Sequence, residues 1–132
     1  MWLYKGEELK EIPDGYAGFV YCITNLKTNR KYIGKKLFKF TRSVKRKGKR
    51  AKKIVDSDWL SYYGSNKELI EHVSLFGENQ FQREILYLCV NKTQMSYLEL
   101  REQIDRRVLE SENYYNEWIS VKVRKTKHLF DL

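Results

Sequence analysis

The sequence is poor in the residues that build several familiar classes of protein. No apolar run approaches the ~20 residues that cross a bilayer, so no membrane partner is expected. Two cysteines, Cys22 and Cys89, both lie in apolar alternating stretches. That placement suits buried reduced thiols better than a disulfide framework, a metal cluster or a redox pair, and it points to an intracellular protein. Met1 to Lys10 mixes Trp2 with Glu7 and Glu8, which does not suit a secretory or transit segment. Histidine is limited to His72 and His128, and neither sits in a catalytic pattern. Ser65 has no His–Asp pair to make it a nucleophile. The only proline, Pro13, precedes Asp14 and Gly15 in a turn signal.

Negative charge is missing from one stretch. Between Lys27 and Lys53 there are 14 basic residues and no acidic one; the rest of the chain holds 12 basic and 17 acidic residues. A mildly acidic body therefore carries one concentrated basic segment. Clustered Lys and Arg displace counterions from a nucleic-acid backbone. A solvated loop is the plainer reading, but a loop kept only for solubility rarely excludes every carboxylate. Lys36, Lys39, Lys45, Arg46, Lys47, Lys49, Arg50, Lys52 and Lys53 are the candidate phosphate contacts.

At 132 residues the chain is the length of one domain. Residues 1–17 read as an N-terminal arm packing through Trp2, Tyr4 and Ile12. Gly18–Thr24 is rich in β-branched and aromatic residues and reads as a strand. Asn25, Thr28 and Asn29 form a polar turn, and Lys31–Gly34 completes a hairpin. Leu37, Phe38 and Phe40 suggest a short helix over Lys35–Arg42, and residues 43–55 a mobile basic loop. Asp56–Tyr63 suggests a short helical turn. Ser65 and Glu68 form a capping box for a helix carrying Leu69, Ile70, Val73 and Phe76, with Gly77 as its stop. Gln80–Val90 is a third strand. A long helix is expected over Thr93–Leu109 with Tyr97, Leu100, Ile104 and Val108 on one face. Residues 113–132 form a C-terminal extension apolar enough to pack back. The fold class expected is α/β, a small three-stranded antiparallel sheet flanked by helices.

Two tyrosines stand out. Tyr21 ends Phe19-Val20-Tyr21, and Tyr32 opens Tyr32-Ile33-Gly34 eleven positions later. A hairpin can bring both phenols to one site, although tyrosines in strands usually pack. Lys35 follows Tyr32 by three residues and Arg42 follows it by ten. This pattern resembles the GIY-YIG endonuclease family, with FVY in place of the first triplet and YIG intact. The resemblance continues through Trp59, Tyr63-Gly64-Ser65, Phe81-Gln82-Arg83-Glu84-Ile85-Leu86, Tyr97-Leu98-Glu99 and Tyr114-Tyr115-Asn116, in the manner of small phage-encoded members.

The resemblance implies a metal-dependent endonuclease that hydrolyses double-stranded DNA to a 5′ phosphate and a 3′ hydroxyl. It implies Tyr21 as general base, Tyr32 as a positioner of water or phosphate, and Lys35 and Arg42 as phosphate contacts and charge stabilisers. A tyrosine with its ordinary pKa near ~10 is a poor base at neutral pH, so a nearby cation is needed to favour the phenolate. One Mg²⁺ (or Mn²⁺) is expected on a late-helix glutamate, with Glu99 favoured over Glu102 and Glu102 set beside Arg106. A single carboxylate would leave Mg²⁺ mostly water-coordinated. Asn116 either belongs to the site or caps the turn after Tyr115. Trp59, Tyr62 and Tyr63 could stack on bases, though packing is the simpler role. The implied setting is the cytoplasm of a bacterial or phage-infected host cell, with a monomer or homodimer as the active form.

Overall fold

The computed structural model describes residues 1–119, 122–130 and 132. A five-stranded sheet lies between two helices. Its strands are β1 (Trp2–Tyr4), β2 (Glu7–Leu9), β3 (Gly18–Asn25), β4 (Lys31–Leu37) and β7 (Phe81–Cys89), in the order β2-β1-β7-β3-β4. The expected antiparallel trio is present as β7-β3-β4. The three-stranded reading is nevertheless too small. Residues 1–17 are not merely an arm: they supply a β1–β2 hairpin, and β1 pairs parallel to β7. Strands of three residues carry no readable alternation. They form because the open edge of β7 offers unpaired backbone groups and Trp2, 1% exposed, seals into the core.

Successive residues of β3 point to opposite faces and build two cores. Phe19, Tyr21 and Ile23 join Trp2, Phe38 and Trp59 with Leu69 and Val73 of α1 (Lys67–Phe76). Val20 and Cys22 join Ile33 and Cys89 with Met95 and Leu98 of α2 (Lys92–Asp105). Both cysteines are buried free thiols.

The segment after β4 departs from expectation. Residues 35–42 do not form a helix and residues 43–55 do not form a loop. Leu37 packs in the α2-side core and Phe38 in the α1-side core, the two-residue period of a strand. The chain then forms a two-stranded ribbon, β5 (Lys39–Arg46) and β6 (Lys49–Asp56), in register from Lys39↔Asp56 to Arg46↔Lys49. Its two-residue turn has φ 48° at Lys47 and 76° at Gly48. Left-handed backbone at both central positions matches the right-handed twist of the flanking strands.

Helix α1 is capped by Asn66 rather than Ser65: the Asn66 side chain accepts from Leu69 N–H at 2.9 Å. Glu68 pairs instead with Arg30 at 2.7 Å. The helix stops at Gly77, as expected. Helix α2 is shorter than expected, ending where Arg107 adopts φ 53°, and Val108–Glu110 forms a separate 3-10 turn. Its buried face is Met95, Leu98 and Gln103, while Tyr97 and Ile104 are exposed. The sheet contacts this helix along the side that also carries Glu99, so the expected apolar face is rotated away. Of the tail, Tyr115 and Asn116 are buried and Ile119 packs on the α2-side core; Ser120, Val121 and Asp131 lie outside the described residues. Among the described residues, no helix is long and apolar enough to cross a membrane.

Candidate active site

A cleft of about 230 Å³ opens at the outer edge of β4 and reaches both faces of the sheet. Tyr21, Tyr32 and Ser65 line it from the α1 side, Lys35, Glu99 and Gln103 from the α2 side. Asn116, Glu117, Trp118 and Ile119 close it along the edge.

Tyr21 forms the floor. It faces Gly34 across the β3–β4 register, and its ring lies over the glycine. A Cβ at position 34 would overlap the Tyr21 hydroxyl, which is why glycine is needed there. The β3–β7 register slips between Val20 and Tyr21, leaving Leu86 as an extra residue. Such a bulge re-aims the neighbouring side chain. Tyr21 is 1% exposed and its ring meets Tyr32 at 6.2 Å and Tyr62 at 6.0 Å between centroids. Burial, then the neighbouring phenols of Tyr62 and Tyr32, push the Tyr21 hydroxyl well above the ordinary tyrosine range. The Tyr32 hydroxyl meets Ser65 Oγ at 3.1 Å; burial raises it too, with the Ser65 contact opposing.

On the other face, Lys35 Nζ donates to Ser96 Oγ at 2.8 Å and stands 3.9 Å from a Glu99 carboxylate oxygen. Burial raises the Glu99 carboxyl above its ordinary value, and Lys35 opposes that rise. Glu102 lies outside the cleft and pairs with Arg106 at 3.3 Å.

Asn116 has a clear structural task. Its Oδ1 accepts from Ile33 N–H at 3.1 Å and its Nδ2 donates to Ile33 C=O at 2.8 Å. Gln103 Nε2 adds a bond to the same carbonyl at 3.3 Å. An edge strand leaves such backbone groups unpaired; here a carboxamide takes the place of the next strand and fixes β4 beside the tyrosines.

Two expected site residues sit elsewhere. Arg42 is not in the cleft: it lies on β5 opposite Lys53 and is exposed. The helix that would have turned it inward does not exist. Lys36 lies outside the cleft, where Nζ pairs with Asp58 at 2.6 Å and lies 3.9 Å from the centroid of the Tyr62 ring. Lys39, Lys45, Arg46, Lys47, Lys49, Arg50, Lys52 and Lys53 are exposed along the ribbon and its turn.

Trp59 is 2% exposed and Tyr63 stacks on Arg83, so both pack rather than offer a face to bases. His72 hydrogen-bonds Tyr115 Oη at 2.8 Å, away from the cleft. Sequence reasoning missed Ser65, Gln103 and Trp118. A one-residue shift of the helix cap hid Ser65, and the misjudged face of α2 hid Gln103. Nothing in the sequence marks Trp118 as a rim residue.

The family model described as "Putative endonuclease segE, GIY-YIG domain" matches residues 2–119. No curated protein and no solved structure shows a significant match to the chain. The mixed sheet flanked by helices, the paired tyrosines at its edge and a match over nearly the whole chain lead to one conclusion: this protein belongs to the GIY-YIG endonuclease family.

Proposed function

We propose that the protein is a metal-dependent DNA endonuclease that hydrolyses a phosphodiester in the cleft at the β4 edge, with Tyr21 as general base. The observation that carries this reading is the convergence of two phenols, an ammonium and a carboxylate on one cleft from β3, β4 and α2. Hydrolysis needs an activated water, a neutralised phosphate and a stabilised leaving oxygen. In this reading Tyr21 Oη takes the proton of the attacking water, Tyr32 with Ser65 orients the water or phosphate, and Lys35 binds a phosphate oxygen. Asn116 acts as a positioning residue through Ile33.

Glu99 is the residue suited to a divalent cation. Its carboxylate is largely buried, and its ion pair with Lys35 is loose at 3.9 Å. Among the described residues there is no group of three or more acids, histidines or cysteines that could hold a metal. A lone carboxylate in a polar cleft fits one Mg²⁺ (or Mn²⁺) that keeps most of its waters. Such an ion would supply positive charge to the phosphate and to the oxygens around it. Tyr21 requires that charge, because an ordinary phenol is protonated at neutral pH and burial raises this one further.

The ribbon supports a nucleic-acid duplex as substrate. Eight residues per strand at ~3.3 Å each give roughly 26 Å, enough to cross or follow a groove about 12 Å wide. Its lysines and arginines would hold the backbone without reading sequence. One cleft per chain cuts one strand at a time. A non-catalytic nucleic-acid binder is the competing reading, favoured by one observation: among the described residues no arginine lines the cleft.

The test is incubation with supercoiled plasmid and Mg²⁺ or Mn²⁺, beside EDTA and Glu99→Ala controls. Metal-dependent nicking lost in Glu99→Ala is expected. Nicking in EDTA defeats the metal assignment, and nicking by Glu99→Ala removes Glu99 as the ligand. No cleavage of duplex, branched or single-stranded DNA, or of RNA, establishes the binder.

A further inference from the structure

Trp118 stands at the rim of the cleft and is 72% exposed, whereas Trp2 and Trp59 are 1% and 2% exposed and fill the α1-side core. A single exposed aromatic is ordinary on a protein surface. What distinguishes this one is how the chain holds it. Tyr115 is buried, and its N–H donates to Lys31 C=O at 2.8 Å. Asn116 is clamped to both backbone groups of Ile33. Directly after Trp118, Ile119 packs on the α2-side core. The backbone is anchored on both sides of the tryptophan, so the indole is presented beside Tyr32, Lys35 and Glu99 rather than left on a loose tail.

A flat aromatic face beside a phosphodiester site matches the face of a nucleobase. Bases inside an intact duplex have both faces covered by their neighbours. Only a frayed, bulged, flipped or single-stranded base offers one. We propose that Trp118 is a stacking platform for an unstacked base of the strand being cut, so that the enzyme prefers DNA disrupted at the cleavage point over fully paired duplex. This rests on the nuclease reading of the cleft and adds its substrate class.

Tryptophan fluorescence in EDTA, where no metal-dependent cleavage occurs, tests the proposal directly. Trp2 and Trp59 are sealed, so a quench on DNA binding belongs to Trp118. The probes are a single-stranded oligonucleotide, a fully paired duplex and the same duplex with a central bulge. Quenching by the bulged and single-stranded probes is expected, and Trp118→Phe should abolish it while keeping affinity. Trp118→Ala should weaken bulged-DNA binding by about 5- to 150-fold and leave paired-duplex binding, set by the ribbon, unchanged. Equal quenching by paired duplex, or unaltered bulged-DNA affinity in Trp118→Ala, overturns the proposal. A fluorescence shift on concentrating the protein without DNA also overturns it and assigns Trp118 to a contact between two copies. Quenching by a protein that never cleaves keeps the platform and removes the nuclease. Cleavage of bulged DNA by Trp118→Ala at the wild-type rate removes the platform alone.

Discussion

Replacing Gly34 by alanine probes the construction of the cleft with one methyl group. An added Cβ would overlap the Tyr21 hydroxyl, lie 2.5 Å from its ring carbon Cζ, and lie 2.9 Å from Tyr32 Cε2. Tyr21 has nowhere to retreat: it is 1% exposed, with Trp2, Phe19 and Tyr62 packed around its ring at 5.3, 6.0 and 6.0 Å between centroids. Overpacking of this kind costs about 1–3 kcal/mol. In a chain of this size that is a fall in Tm of roughly 5–10 °C. Either Tyr21 or β4 must move, and a displacement of about 1 Å in a catalytic group can lower the rate ~10²-fold. Urea unfolding with an unchanged slope and a lowered midpoint, together with plasmid nicking, reads both effects. A double-mutant cycle isolates the cause. In a Tyr21→Ala background the overlap with Tyr21 is gone and only the 2.9 Å approach to Tyr32 Cε2 remains, so Gly34→Ala should cost clearly less there than in the wild-type background. A single Gly34→Ala variant with wild-type Tm and wild-type nicking would refute the close approach of Tyr21 to β4.

Three further outcomes follow from the charges. Glu99 has a folded pKa raised by burial, so the folded state holds its proton more tightly than the unfolded chain, and stability is lost as pH rises through the carboxylate range. Glu99→Gln should therefore have a higher urea midpoint than wild type at pH 7, with the gap closing as pH falls through that range; equal midpoints at pH 7 would contradict the burial cost. Added Mg²⁺ should raise the Tm of wild type and not of Glu99→Gln. Replacing Lys45, Arg46, Lys47, Lys49 and Arg50 with serine should weaken duplex binding and flatten log K against log salt by up to ~0.9 per lost phosphate contact. An unchanged slope would remove the ribbon from the interface.

Strongly periodic or well-punctuated segments were legible in the sequence. The β3–β4 hairpin follows from an apolar run, a polar turn and a second apolar run, and α1 from its spacing and the glycine at its end. Elements defined by their partners were not. Trp2–Tyr4 is a strand only because β7 has a free edge. The ribbon carries little apolar sequence to announce it. Lys47-Gly48 is not the usual asparagine–glycine signal, and the strands are held by register and turn geometry rather than by burial. That one error also displaced Arg42, whose expected position depended on a helix. Tyr21, Tyr32 and Glu99 lie on elements whose type was read correctly, whereas Lys35, expected to open a helix, instead continues β4 and reaches the cleft from the strand. The face of α2 was misjudged because Tyr97 and Ile104 are apolar yet exposed, while the polar Gln103 is buried against Ile33. Side-chain pattern alone does not reveal that a buried amide is satisfied by a backbone carbonyl.

The central claim is that the buried Tyr21 hydroxyl takes part in breaking a phosphodiester. Single-turnover cleavage of an end-labelled DNA by wild type and Tyr21→Phe, with Mg²⁺ and at matched occupancy, measures this most directly. Removing one oxygen atom leaves the aromatic packing in place. Loss of ~10²-fold or more in rate, with unchanged DNA affinity and a near-native unfolding midpoint, is the expected result. A Tyr21→Phe protein that cuts at the wild-type rate would contradict it.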